Sequence, residues 1–77
     1  MKKALYSKQG KVLRAWLKQS RLEADLTMRE LARLLDVPFQ TIGKIENGER
    51  RLDVIEFVTY CQAIDIDPLD GIALISN

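Results

Sequence analysis

Two six-residue stretches obey one rule and fix most of what this chain can become. Leu26-Thr27-Met28-Arg29-Glu30-Leu31 and Leu52-Asp53-Val54-Ile55-Glu56-Phe57 each place a capping residue three positions before a glutamate, between two apolar residues. In that spacing the Thr or Asp side chain accepts from the third helical N–H, and the glutamate accepts from the cap's own N–H. The flanking Leu26–Leu31 and Leu52–Phe57 pairs suit hydrophobic staples across the first turn. Two helices are therefore predicted to start at Thr27 and Asp53.

Other signals divide the rest. Asp36-Val37-Pro38 breaks the second helix, because proline cannot continue the hydrogen-bond ladder and restricts the residue before it. Proline is suited to open a helix, so the third runs from about Pro38 to Glu46. Asn47-Gly48 ends it, with glycine free to adopt the left-handed cap. The first helix is placed over residues 8 to 24, with Leu13, Leu17, Ser20 and Ala24 on one stripe, Val12 and Trp16 beside it, and Gly10 weakening its start. Val54, Phe57, Val58, Cys61 and Ile64 line the fourth; Asp67-Pro68 opens a fifth with Leu69, Ile72 and Ile75. Strand-like alternation is absent. The expectation is a compact, all-α, five-helix domain covering residues 1–77.

The chain has 77 residues, a size at which folding buries about 60% of the unfolded surface, so sharp helix ends matter. It has one cysteine and no histidine, which excludes an internal disulfide and argues against zinc fingers and Cys/His or Ser/His/Asp catalysis. With no phosphate loop or metal cluster either, neither an enzyme, a cofactor nor a small-molecule substrate is expected. No apolar run spans a bilayer and no signal peptide is visible, which fits a reducing cytoplasm and no membrane partner.

The net charge of +1 hides a gradient. Residues 1 to 21 carry Lys2, Lys3, Lys8, Lys11, Arg14, Lys18 and Arg21 with no acid; residues 52 to 77 carry acids and no lysine or arginine. Two solvated faces of opposite sign would look like this, and so would a domain with one end suited to a polyanion.

Helices 2 and 3, joined by a short turn, have the form of a helix-turn-helix, whose second helix can enter a major groove. At about 100° per residue, Ile42 and Ile45 fall on the inner side. Gln40, Gly43, Lys44 and Asn47 fall on the outer side, with Phe39 and Thr41 at its borders. Gln40 suits adenine, Lys44 guanine, and Phe39 thymine methyls. Gly43 lowers helix propensity by about 1 kcal/mol relative to alanine, which close approach to a large ligand surface would explain. Periodicity alone favours a plainer account, the solvated face of a core helix.

Residues 26–69, "LTMRELARLLDVPFQTIGKIENGERRLDVIEFVTYCQAIDIDPL", resemble the lambda-repressor-like helix-turn-helix family of the Cro/cI or xenobiotic-response-element (XRE) type. Thr27, Glu30, Leu31, Ala32, Val37, Thr41, Ile42, Ile45, Glu46, Asn47 and Gly48 stand where that family has them, and with the first helix the likeness covers roughly residues 12 to 75. The resemblance implies bacterial or phage DNA binding, usually as a homodimer on a palindromic operator. Carried over, Phe39, Gln40, Thr41 and Lys44 would read base edges. Thr27 and Met28, with the amides that start the second helix, would hold phosphates together with Asn47, Arg50 and Arg51. Arg21 and Glu46 would form a structural ion pair. Three positions depart from the pattern: Met28 replaces a phosphate-contacting glutamine, Pro38 a small polar residue or glycine, and Phe39 a polar residue.

Cys61, Trp16 and Tyr60 read as core or rim residues. Ile72 to Ile75 put four apolar residues in a row, more than one side of a short helix can bury. Ile72, Leu74 and Ile75, in the 72–77 tail, are therefore expected to meet a second subunit. The competing reading keeps the fold but turns the third helix on a protein, as an interaction module or an antitoxin-type regulator that also binds a toxin.

Overall fold

Each helix begins near a side chain or proline suited to its first turn, and four of the five end in or just before a left-handed residue. The computed structural model describes residues 7–76; Lys2 and Lys3 of the cationic segment and Asn77 of the tail lie outside the described residues. The order is α1 (Lys8–Glu23), α2 (Met28–Leu35), α3 (Phe39–Glu46), α4 (Val54–Ala63) and α5 (Pro68–Ile75), with no strand among the described residues. The all-α class expected from the punctuation is the one adopted.

Both capping boxes close. Thr27 Oγ1 accepts from the Glu30 N–H at 3.1 Å while Glu30 Oε1 accepts from the Thr27 N–H at 2.9 Å. Asp53 and Glu56 repeat the exchange at 2.7 and 3.0 Å. Asp67 accepts from the Leu69 N–H at 2.9 Å, with Pro68 in the first helical position. Ser7 accepts from the Gly10 N–H at 3.0 Å, a cap that supports a start weakened by that glycine.

Two boundaries move by one residue. α1 stops at Glu23, so Ala24 is the exposed cap residue and not part of the inner stripe. α3 starts at Phe39, because Pro38 has a ψ of 144°, outside the helical range, and caps the helix without a side-chain hydrogen bond.

The stops follow a rule that sequence reading credited to Gly48 alone. Asp25, Asp36 and Asp65 have φ of 58°, 56° and 57°, and Gly48 has 79°. After each, the next N–H returns to the carbonyl five residues back: Leu26 to Arg21, Val37 to Ala32, Ile66 to Cys61 and Glu49 to Lys44, at 2.8 to 3.2 Å. This is the Schellman arrangement, which satisfies carbonyls left orphaned at a helix end. Aspartate accepts the left-handed region better than most non-glycine residues because its short polar side chain bonds locally. Leu26, Val37 and Ile66 then pack against the core and tie each turn down.

The core gathers Leu17, Leu31, Ala32, Ile42, Ile45, Phe57, Tyr60, Cys61 and Ile64. Cys61 is fully buried, and burial pushes its thiol up to about 11, as suits an inert core residue. Trp16 packs beside Phe57 with ring centroids 6.3 Å apart. α3 lies against α2 and α1, and α5 packs on α1. A Cβ at Gly71 would sit 2.6 Å from the Trp16 ring, so only glycine allows that α1–α5 approach. No described helix is long and apolar enough to cross a membrane.

Candidate nucleic-acid interface

α3 is held from within. Ile42 and Ile45 are 0% and 3% exposed. At the helix end the Glu46 carboxylate accepts from Arg21 Nε at 2.7 Å, Arg21 Nη2 at 3.0 Å and the Tyr60 hydroxyl at 3.3 Å. Arg21 Nη1 donates to the Leu26 carbonyl at 2.8 Å, so one guanidinium joins α1, the α1–α2 turn and α3. The Arg21 and Glu46 side chains are 5% and 1% exposed. Hydrogen bonding to Glu46 raises the arginine's pKa against the opposing effect of burial. Burial, then the Glu46 charge, pushes the Tyr60 phenol well up. Among the described residues no buried side-chain nitrogen or oxygen lacks a partner. The network therefore sets the rotation of α3 about its own axis.

The other flank is open. Gln40, Lys44 and Asn47 are exposed, and none makes a side-chain hydrogen bond or ion pair with another described residue. Gly43 is only half-exposed, because α2 reaches over it: a Cβ there would lie 3.7 Å from Met28 Sδ. That is ordinary contact, so packing within the chain does not demand glycine.

The border residues differ. Phe39 is 38% exposed, and Arg29 from the first turn of α2 places its guanidinium carbon 4.0 Å from the ring centroid. Thr41 is half-buried and lines a cavity of about 200 Å³ with Val37, Ile55, Thr59 and Tyr60, which turns it toward α4 and away from Gln40.

A helix-turn-helix family model matches residues 17–70. A solved structure, an XRE-family like protein from Pseudomonas syringae pv. tomato str. DC3000, is 36% identical and superimposes with a TM-score of 0.86. That match covers 97% of this chain and 92% of the other. Comparison with curated proteins finds no match. This chain belongs to the XRE-type helix-turn-helix family. It is accordingly a DNA-binding regulator in general kind, with α2 and α3 as its helix-turn-helix.

Around this XRE-type core the cations are not equally available. Arg50 donates to Glu56 Oε2 at 2.8 Å and to the Arg51 carbonyl at 3.1 Å, which ties it to the start of α4. The Glu56 carboxylate is held below its usual range by Arg50 first and then by the Asp53 N–H. Arg51 is exposed, with no side-chain partner among the described residues. At the start of α2, the Glu30 carboxylate occupies the Thr27 N–H and is held low by that bond. Met28 turns its side chain to Gly43. Arg14 lies over Gly48, where an added Cβ would come within 2.9 Å of its guanidinium carbon.

Sequence reasoning did not single out Arg29. It lies ten positions before Phe39, and only the crossing of α2 over α3 brings the two together. The α1–α5 side is apolar: Val12, Leu69, Ile72 and Leu74 are exposed and Ile75 half-buried, with a groove of about 280 Å³ among Lys8, Gln9, Val12, Leu74 and Ile75. The Gln9 side chain donates to the Ile75 carbonyl at 2.7 Å and holds the end of α5 to α1.

Proposed function

We propose that this protein is a dimeric transcriptional repressor that sets α3 of each subunit in the major groove of a palindromic operator. The carrying observation is the asymmetry of α3: its inner flank is fixed by Ile42, Ile45 and the Arg21–Glu46 pair, while Gln40, Lys44 and Asn47 stand unpartnered outside. Gln40 pairs with adenine and Lys44 with guanine; Phe39 and Thr41 border the read sequence. Thr27, the Met28 amide, Asn47 and Arg51 hold phosphates, and Arg50 adds the donors that Glu56 leaves open.

Size supports two subunits. The longest extent of the described residues is 31 Å, short of the roughly 34 Å between successive major grooves, and one recognition helix lies among them. Ile72, Leu74 and Ile75 form the expected contact between copies, beside Val12. The bound dimer occludes a promoter from polymerase in the bacterial or phage-infected cytoplasm.

The test is selection of a site from random duplexes at physiological salt, followed by salt titration and sedimentation. The expected result is a palindrome, affinity that falls steeply with salt, and two chains per site. A Leu74→Asp variant should sediment as a monomer and lose the operator. An asymmetric site bound by one chain would overturn the dimer, and salt-insensitive binding would overturn the phosphate contacts.

A further inference from the structure

The arginines around the helix-turn-helix are held in different ways. Arg21 is buried in its ion pair, and Arg50 is tied to Glu56. Arg29 lies over the Phe39 ring at 4.0 Å, is exposed, and makes no hydrogen bond or ion pair with another described residue. A guanidinium on an aromatic face is oriented by the ring's quadrupole, yet its N–H groups point outward in its own plane and remain unengaged. Orientation before binding also reduces the side-chain freedom lost on contact. The supporting ring is the first residue of α3, next to exposed Gln40, and is itself 38% exposed.

We propose that Arg29 and Phe39 form one reading unit for a guanine beside a thymine. Arg29 donates two N–H groups to O6 and N7 of the guanine, and the uncovered part of Phe39 packs on the thymine methyl. In the major groove guanine presents two acceptors that match a planar fork, and thymine alone presents a methyl. The unit rests on α3 entering the major groove, and it adds a base pair step to those read by Gln40 and Lys44.

The test repeats site selection with wild type and Arg29→Ala. It then titrates wild type, Arg29→Ala, Arg29→Lys and Phe39→Ala against the selected site and an unrelated duplex. Circular dichroism melts establish that each variant is folded. The wild-type half-site should contain a guanine next to a thymine, and Arg29→Ala should lose preference at the guanine alone. Its affinity should fall roughly 10- to 100-fold on the site and far less on unrelated DNA. Lysine keeps the charge without the fork and should not restore the preference. Uracil in place of the thymine should weaken wild type and leave Phe39→Ala unchanged. Equal loss on both duplexes, or full rescue by lysine, overturns the unit and makes Arg29 a phosphate contact. A selected site that Arg29→Ala does not alter overturns it while leaving groove binding intact. Failure of wild type to bind any duplex overturns both.

Discussion

The two flanks of α3 are built to opposite standards. On the inner flank Ile42 and Ile45 are sealed, and the Glu46 carboxylate takes bonds from Arg21 and Tyr60, which belong to α1 and α4. On the outer flank Gln40, Lys44 and Asn47 bond to nothing described, and a side chain added at Gly43 would first meet the Met28 sulfur. The difference teaches how a small domain can offer polar groups at a defined angle. A short helix is marginal alone, so its orientation must come from tertiary contacts. The ion pair provides them at one end and leaves the other side uncommitted.

The comparison breaks most violently at Glu46. Glu46→Ala leaves Arg21 buried without its partner, and removing one member of a buried pair destabilises by about 3–5 kcal/mol. Denaturant unfolding should show that loss. An Arg21→Met/Glu46→Leu double variant should lose less than the two single changes combined, because no orphaned charge remains. Similar stability of wild type and Glu46→Ala would mean that the inner flank is held by its isoleucines alone.

On the outer flank the effects should reverse. Gln40→Ala and Lys44→Ala should each weaken the preferred operator by about 1–3 kcal/mol and relax its sequence. Their unfolding free energies should stay within about 0.5 kcal/mol of wild type, as for surface sites without partners. Arg51→Ala should instead weaken all DNA alike and flatten the salt dependence. Identical behaviour of these two classes would remove the distinction between base and phosphate roles.

Gly43 sharpens the contrast, because one substitution should move the two properties in opposite directions. An alanine Cβ would make ordinary contact with Met28 Sδ at 3.7 Å, and the change should raise stability by up to about 1 kcal/mol through helix propensity. If the groove wall comes close to the helix there, the same methyl should weaken DNA binding. Melting and titration of one Gly43→Ala sample measure both. A variant that gains stability and keeps its affinity would show that Gly43 faces no close surface.

How far all this could be read from sequence depended on how local the physics was. The caps at Thr27, Asp53 and Asp67 rest on bonds two or three residues long, so spacing identified them. Ile42 and Ile45 followed from helical periodicity alone. The left-handed stops at Asp25, Asp36 and Asp65 were equally local, and their signal was present: an aspartate followed by Leu26, Val37 or Ile66, each packed on the core. Glycine and proline are the stronger stop signals, and an aspartate in sequence reads first as a residue that starts helices. Arg29 on Phe39, Arg50 on Glu56 and Trp16 against Gly71 were not legible in the same way. Each depends on where one element lies against another, which periodicity within a helix does not specify. For the interface, the outer set of α3 could be named from the sequence, but which cations remain available beside it could not.

The smallest expected effect separates the two capping boxes, which share a pattern and differ in one neighbour. Glu30 is held low by its bonds to Thr27, whereas Glu56 is held low first by Arg50 and then by Asp53. A carboxylate with a depressed folded pKa stabilises the fold above its unfolded value of about 4.3, and that contribution drains as pH falls through the folded value. Both glutamates should therefore titrate by NMR below the ordinary range, with stability declining in the acid window under it. Arg50→Ala should move the Glu56 midpoint upward and leave Glu30 where it is. The acid limb of the stability curve should still begin at the unfolded value but end at a higher pH with a smaller total loss, while stability at pH 7 changes little, since an exposed ion pair contributes only weakly. If both midpoints shift together, the cap at α4 is not set by its own arginine and the two helix starts respond to a field they share.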